Sequence, residues 1–438
     1  MRVRVAPAAL TATALAPTAP LADTAAAAPA AGPAEFVVVT ASDAVDADPS
    51  DGRCRTTSGE CSLRAAVTAA NARPGRTTTL SPGHDRLTIP PGPRLIIGDH
   101  PDPTTRDLNV DAPTTIQGTG ARSTVIDANH LDRAFRLRVN THVSDVRITG
   151  GRAKQRELPF TDTGDGGIAN AGHLTLRRVA VTGNSAGYGG GVLNFPDSHL
   201  DLVDSTVRRN AAGEAGGIRF DESGTVTNST IADNRVTNPG DHAGYAGYAG
   251  YGGYGGYGGY GGYGGYGGYG GYGGYGGSIG IRGLGAVQIL NSTITRNSSS
   301  DGGDAINIAS AYLDSLPAPI PDIIDLPLAR MTLRNSVVAG NTVDGAAADC
   351  QKAFAAITSL RHNIDGDGSC RLSTAGDLPS RDPLVGPPAN HGRPTETVAL
   401  LPGSPARDAA KGCPATDQRG VSRPQDATCD IGAYEHTP

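Results

Sequence analysis

The chain has 438 residues, 62 of them glycine and none tryptophan, and a formal net charge of −6. This mildly acidic balance, with no basic stripe, argues against a nucleic-acid partner. After the first 34 residues no run reaches the roughly 18 apolar residues of a membrane-spanning helix, so a transmembrane segment is not expected.

Residues 1–34 read as a secretory signal peptide. Met1-Arg-Val-Arg4 is a short cationic start, a region rich in Ala, Leu, Thr and Pro follows, and small-residue cleavage positions lie between Ala22 and Ala34. The mature protein is therefore expected to be secreted, soluble and monomeric. The cysteines fall into three local pairs: Cys54 with Cys61, Cys350 with Cys370, and Cys413 with Cys429. Export makes disulfides expected. Several connectivities are open to six cysteines, and pairing in order is the simplest because each partner is near in sequence.

Residues 35–79 form a candidate capping module. Phe36-Val-Val-Val-Thr40 is strand-like, and an acidic loop follows with Asp43, Asp46, Asp48 and Asp51. Four carboxylates within nine residues make the kind of loop calcium favours, although the spacing is not that of an EF-hand; the alternative is a solvated acidic loop. Calcium is the one cofactor the sequence suggests. Ser62 is a good N-cap for a helix whose Leu63, Ala66, Val67 and Ala70 share a face. A solenoid exposes a strand edge and an open apolar end at its first coil, and such a helix would cover both. The segment resembles the N-terminal module named for its Cys-Ser-Leu-Arg-Glu-Ala (CSLREA) motif, found on exported bacterial β-helix proteins. Here the motif reads Cys61-Ser-Leu-Arg-Ala-Ala66, with Ala65 in place of the glutamate. The reciprocal capping box of serine and glutamate is thereby lost, and Ser62 is expected to cap alone, at a cost of about 0.5–1 kcal/mol.

Residues 80–345 are expected to form the solenoid. Leu87–Ile89, Leu95–Ile97, Thr115–Ile116, Thr124–Ile126 and Phe135–Val139 are short strand candidates, and Val146-Arg-Ile-Thr begins a repeat. Five copies of one phrase close on Asn184, Asn210, Asn234, Asn297 and Asn341, spaced 26, 24, 63 and 44 residues apart. The spacing of 63 contains a Tyr-Gly-Gly run at 240–277, and removing its 38 residues leaves 25. A fixed period near 25 marks a repeat architecture in which each unit buries its apolar face against its neighbours. Three residues before each asparagine stands Val181, Val207, Ile231, Ile294 or Val338; five before stands Val179, Ser205, Ser229, Ser292 or Ser336. Short β-branched segments separated by Gly and Asn turns predict an all-β, right-handed parallel β-helix. Stacked asparagines are read as structural, bonding along a ladder at a bend. The Tyr-Gly-Gly run is read as a flexible loop extruded from one turn, and a second insertion is expected around 313–328.

Residues 346–438 form an irregular, Pro-rich, disulfide-bearing segment expected at the far end of the solenoid. It closes on Asp417-Gln-Arg-Gly420, Arg423-Pro424 and Cys429-Asp-Ile-Gly-Ala-Tyr-Glu435. This ending resembles the C-terminal region of the "choice-of-anchor" group of exported β-helix proteins. The two resemblances together imply a secreted or cell-surface protein, adhesin-like, that binds a polysaccharide or a surface protein.

Many parallel β-helices degrade pectin, which makes a catalytic site on this one a fair question. Neither Gly-His-Gly nor Arg-Ile-Lys occurs; Gly172-His173-Leu and Asn390-His-Gly392 are near misses. Asp201, Asp204, Asp221, Glu222 and Asp233 fall in adjacent coils, so two of them can stand on one face at the spacing of a carboxylate pair. Asp204 and Asp233, with Arg208 as a base, are the catalytic candidates; the alternative is a solvated acidic face. The expected role is non-enzymatic binding, and the other reading is a polysaccharide lyase or glycoside hydrolase.

Overall fold

The computed structural model describes residues 35–80, 83–86, 107–152, 166–237, 277–282, 285–300, 305–309, 329–353, 355–392 and 395–438. The expected signal peptide, the strand candidates at 87–89 and 95–97, the Tyr-Gly-Gly run up to residue 276 and the expected insertion at 313–328 lie outside the described residues.

The described chain is a parallel β-helix with a single helix. One coil shows the path. Ile168–Asn170 leads into His173–Arg177, then Ala180–Thr182, then Ser185–Tyr188, and Val192–Asn194 returns above the starting strand. The sheets built on His173–Arg177, Ala180–Thr182, Ser185–Tyr188 and Ile168–Asn170 are called first to fourth. Among the described residues they hold ten, ten, six and eight strands.

Stacking in register explains the repeated columns. In the first sheet Val143, Leu176, Leu202, Val226, Ile289 and Leu333 pair in sequence and point inward. In the second, Val181, Val207, Ile231, Ile294 and Val338 do the same. A column of like apolar side chains at about 4.8 Å spacing packs without gaps, which is why this position is aliphatic in every copy. Gly224 interrupts its own column because the Phe220 ring fills that place; a Cβ there would meet Phe220 Cε1 at 2.3 Å.

The corners carry the polar columns. Arg178, Asp204, Asn228, Asn291 and Asn335 turn the chain from the first sheet to the second with φ of 54°, 52°, 47°, 49° and 49°. Asparagine and aspartate tolerate this left-handed region better than most residues. At the next corner the asparagines form a continuous ladder. Asn184 Nδ2 donates to Asn210 Oδ1 at 3.0 Å, Asn210 to Asn234 at 3.0 Å, Asn234 to Asn297 at 3.0 Å, and Asn297 to Asn341 at 2.9 Å. Each acceptor oxygen also takes the backbone N–H of the asparagine before it. The serine column works likewise: the backbone N–H groups of Val179, Ser205, Ser229 and Ser292 donate to the hydroxyls of Ser205, Ser229, Ser292 and Ser336. All these residues are buried, so the ladders satisfy groups that would otherwise be stranded away from water.

The helix Leu63–Ala72 packs on the strands Arg76–Leu80 and Leu108–Val110 at the N-terminal end. Ser62 Oγ accepts from the backbone N–H of Ala65 at 3.1 Å and donates to the Ala44 carbonyl at 2.5 Å. Ala65 is fully buried, so this cap has an alanine on the core side of the helix.

Three boundaries differ from the sequence expectation. The first sheet starts inside the capping module, where Glu35–Val38 pairs with Arg76–Leu80. The coils continue past residue 345: Cys350–Ala353 extends the fourth sheet, Ala355–Ser359 the first, and Ile364–Asp365 with Leu378–Pro379 the second. These strands escape the repeat phrase because Asp365 pairs with Val338, where the earlier coils carry valine or isoleucine, and Asn363 takes the place of the column serine; the Cys350–Cys370 disulfide closes this coil. The remaining C-terminal segment does not simply cap the end. It folds back across the outer face of the second sheet, where Val337, Ala339, Ile364, Leu400, Ala406, Ala410, Cys429 and Ile431 form a second, smaller core. The other two disulfides are Cys54–Cys61 and Cys413–Cys429.

Candidate functional site

Covering the second sheet leaves the outer face of the first as a polar, solvent-facing ladder. Thr115, His142, Thr175, Asp201, Thr225, Gln288, Thr332 and Thr358 pair in register to form one column along it. None of these eight is buried. Their alternation with the aliphatic column follows from the two-residue period of a strand.

Midway along this face three side chains converge. His173 and His199 are opposite each other on paired strands, with ring centroids 4.8 Å apart and edge-to-face. Asp201 follows His199 by two residues and so shares its face. Its Oδ2 lies 2.9 Å from His173 Nε2, and its Oδ1 lies 3.2 Å from His199 Nε2. His199 Nδ1 lies 2.8 Å from Ser223 Oγ on the next strand. Burial alone would raise the Asp201 carboxyl, but the hydrogen bonds and charge of the two histidines hold it below the ordinary carboxylate value. His173 and His199 also line a shallow recess of about 410 Å³, shared with Asn140, Asp197, Glu222 and Ser223. Asp201 is among the acids that sequence reasoning reaches, and His173 is a near miss. His199 is not reached, although its spacing of 26 from His173 equals that between Asn184 and Asn210.

Of the catalytic candidates, Arg208 and Asp233 are brought together as an ion pair, and Asp204 stands apart from them. Asp204 sits at the corner before the strand Thr206–Arg208, whereas Asp233 follows the strand Thr230–Ala232 at the opposite corner. Asp204 takes Asn228 Nδ2 at 3.3 Å and has Arg177 at 3.4 Å; burial raises its carboxyl, and Arg177 offsets only part of that. Asp233 is held between Arg208 Nε at 2.8 Å and Arg296 Nε at 2.9 Å. Arg208 also pairs with Glu396 of the folded-back segment and is buried there.

The acidic loop is also dispersed. Asp43 forms a buried bidentate pair with Arg64, at 2.8 Å to Nε and 2.9 Å to Nη2. Asp46 accepts from the Asp48 N–H at 3.3 Å, and burial raises its carboxyl. Asp48 caps Ser50 and Asp51 caps Arg53, each through a backbone N–H two residues on. Among the described residues the groups of three ligand-bearing side chains are His173, His199 and Asp201, and a second group of Asp349, Asp365 and Asp367.

That second group ends the asparagine ladder. Asp349 Oδ1 accepts from Asn341 Nδ2 at 2.8 Å, and its Oδ2 accepts from the Asp367 N–H at 3.1 Å. The serine ladder ends similarly: the Ser336 N–H donates to Asn363 Oδ1 and the Asn363 N–H to Asp377 Oδ1, both at 3.0 Å. An acidic side chain suits both places because its oxygens accept from the last amide of each ladder. Burial first, then the neighbouring Asp367, pushes the carboxyls of Asp349 and Asp365 up to about 7 and about 6.

No family model matches the chain, and no curated protein matches it. Among solved structures it is similar to the crystal structure of pectate lyase Pel9A, with 14% identity and a TM-score of 0.35 over 93% of this chain and 98% of that one.

Proposed function

We propose that this is an exported β-helix protein that binds a glycan along the outer face of its first sheet and does not cleave it. The observation that carries this reading is the eight-residue polar column on an open face. Hydroxyl, amide, imidazole and carboxylate groups repeating at about 4.8 Å suit a polyhydroxylated polymer lying along the ladder. The placement of Asp204 at the opposite corner from Asp233, and the engagement of Arg208 in ion pairs with Asp233 and Glu396, weigh against a lyase built from those residues. Export is supported by three disulfides. The CSLREA-like module and the choice-of-anchor-like ending fit the same placement.

A glycan array probed with the purified full chain tests the reading. The expected result is binding that falls at least tenfold in Thr175→Arg/Thr225→Arg, a pair on the ladder outside the histidine cluster. Capture of a surface protein with no glycan signal, or depolymerisation of a uronate polymer by the wild-type chain, would overturn it.

A further inference from the structure

The geometry points to a binding site for one divalent transition-metal ion, of the zinc class, at His173, His199 and Asp201. Three kinds of observation support it. The donor set is two imidazole nitrogens and one carboxylate, which suits borderline ions such as Zn²⁺ and not the all-oxygen preference of Ca²⁺ or Mg²⁺. The donor atoms lie within 4.8 Å of one another, with edges of 2.9 Å and 3.2 Å from Asp201 to the two Nε2 atoms. Ligands about 2.0–2.1 Å from a zinc ion are separated by roughly 3–3.4 Å, so an ion fits with small rotations of the rings. The third observation is support from outside the cluster. Ser223 Oγ stands on the remote nitrogen of His199, as the outer partner of a metal-bound imidazole does, and fixes the ring so that Nε2 faces Asp201.

The backbone is already arranged for this. His173 and His199 pair directly in a sheet whose strands continue on both sides, so little conformational freedom is lost on binding. The side chains are reachable, with His173 half exposed and His199 and Asp201 about one-third exposed. Binding replaces the two imidazole–carboxylate hydrogen bonds by three metal–ligand bonds and releases any proton held on Nε2 to solvent. Three protein donors leave the rest of the coordination shell to water or to a ligand oxygen. The site stands independently of any glycan on the ladder.

Titration of the chelator-treated full chain with ZnCl₂, followed by calorimetry, tests the inference. One Zn²⁺ per chain is expected, with binding lost by at least a hundredfold in His173→Ala, His199→Ala and Asp201→Asn. Ser223→Ala should weaken it about tenfold, the scale of an outer-partner loss. His142→Ala, one coil away on the same face, should leave it unchanged. Cobalt substitution gives a second readout, a visible ligand-field band that vanishes in the same variants. Circular dichroism confirms that each variant is folded. The inference is overturned if the folded wild type binds no Zn²⁺, or if Zn²⁺ and Co²⁺ binding persist in the folded His173→Ala/His199→Ala variant. Failure of glycan binding with zinc binding intact removes the proposed function and leaves the metal site standing.

Discussion

Gln418 Oε1 accepts a hydrogen bond from Thr230 Oγ1 at 2.6 Å, across 188 residues of chain. Its Nε2 donates to the Ser205 carbonyl at 3.1 Å and to Thr206 Oγ1 at 2.9 Å. One buried carboxamide thus ties the returning segment to two neighbouring coils of the second sheet. Gln418→Ala should strand these partners and cost about 2–3 kcal/mol, at roughly 1 kcal/mol per lost buried bond. Limited proteolysis should then cut first within 395–435. A variant as resistant as the wild type would show that the apolar contacts alone hold the segment.

The asparagine ladder is predicted to be cooperative. Asn234→Ala removes the acceptor for both the N–H and the Nδ2 of Asn210, and the donor to Asn297. The expected loss is about 3 kcal/mol, since each stranded buried group costs about 1–3 kcal/mol. Thr175→Ala on the open face should fall within about 0.5 kcal/mol of the wild type. Chemical denaturation of both, with equal losses, would refute a structural role for the ladder.

Asp43 and Arg64 make the same test of the acidic loop. Asp43→Ala removes the bidentate carboxylate partner of a buried guanidinium, whose Nη1 also donates to the Asp107 carbonyl at 3.1 Å. Breaking a buried pair from one side costs about 3–5 kcal/mol. Asp48→Ala, on the surface, should cost far less. If added Ca²⁺ raises the melting temperature of the wild type and not of Asp48→Ala, the loop is a calcium site after all.

Stability should fall as pH rises from about 4 to about 7, because of the buried acids at the C-terminal end of the ladder. Asp349 and Asp365 hold their protons to about 7 and about 6 in the folded chain, because burial and Asp367 disfavour the charged forms. The unfolded carboxyls titrate near 3.9. The folded chain therefore binds more protons than the unfolded chain between these values. The contribution is fully present below about pH 4 and is lost as pH rises through about 6 to 7, by up to about 1.4 kcal/mol per carboxylate per pH unit. Asp365→Asn should flatten the dependence of melting temperature between about pH 4 and pH 6. An unchanged slope in that variant would rule out Asp365 as its source.

The sequence alone determined the coil. Its period, its inward aliphatic columns and its Ser and Asn corners are local chemistry repeated near every 25 residues, and stacking in register turns that repeat directly into a parallel β-helix. The cysteine pairs were legible for the same reason, because each partner is close along the chain. Only the tertiary structure decided which faces are open. The return of the last residues over the second sheet rests on contacts such as Gln418 with Thr230 and Arg208 with Glu396, which have no periodic signature. The same holds for the metal candidate. His173, His199 and Asp201 lie at ordinary positions of two copies, and they become a cluster only because the coils bring them into register on an uncovered face.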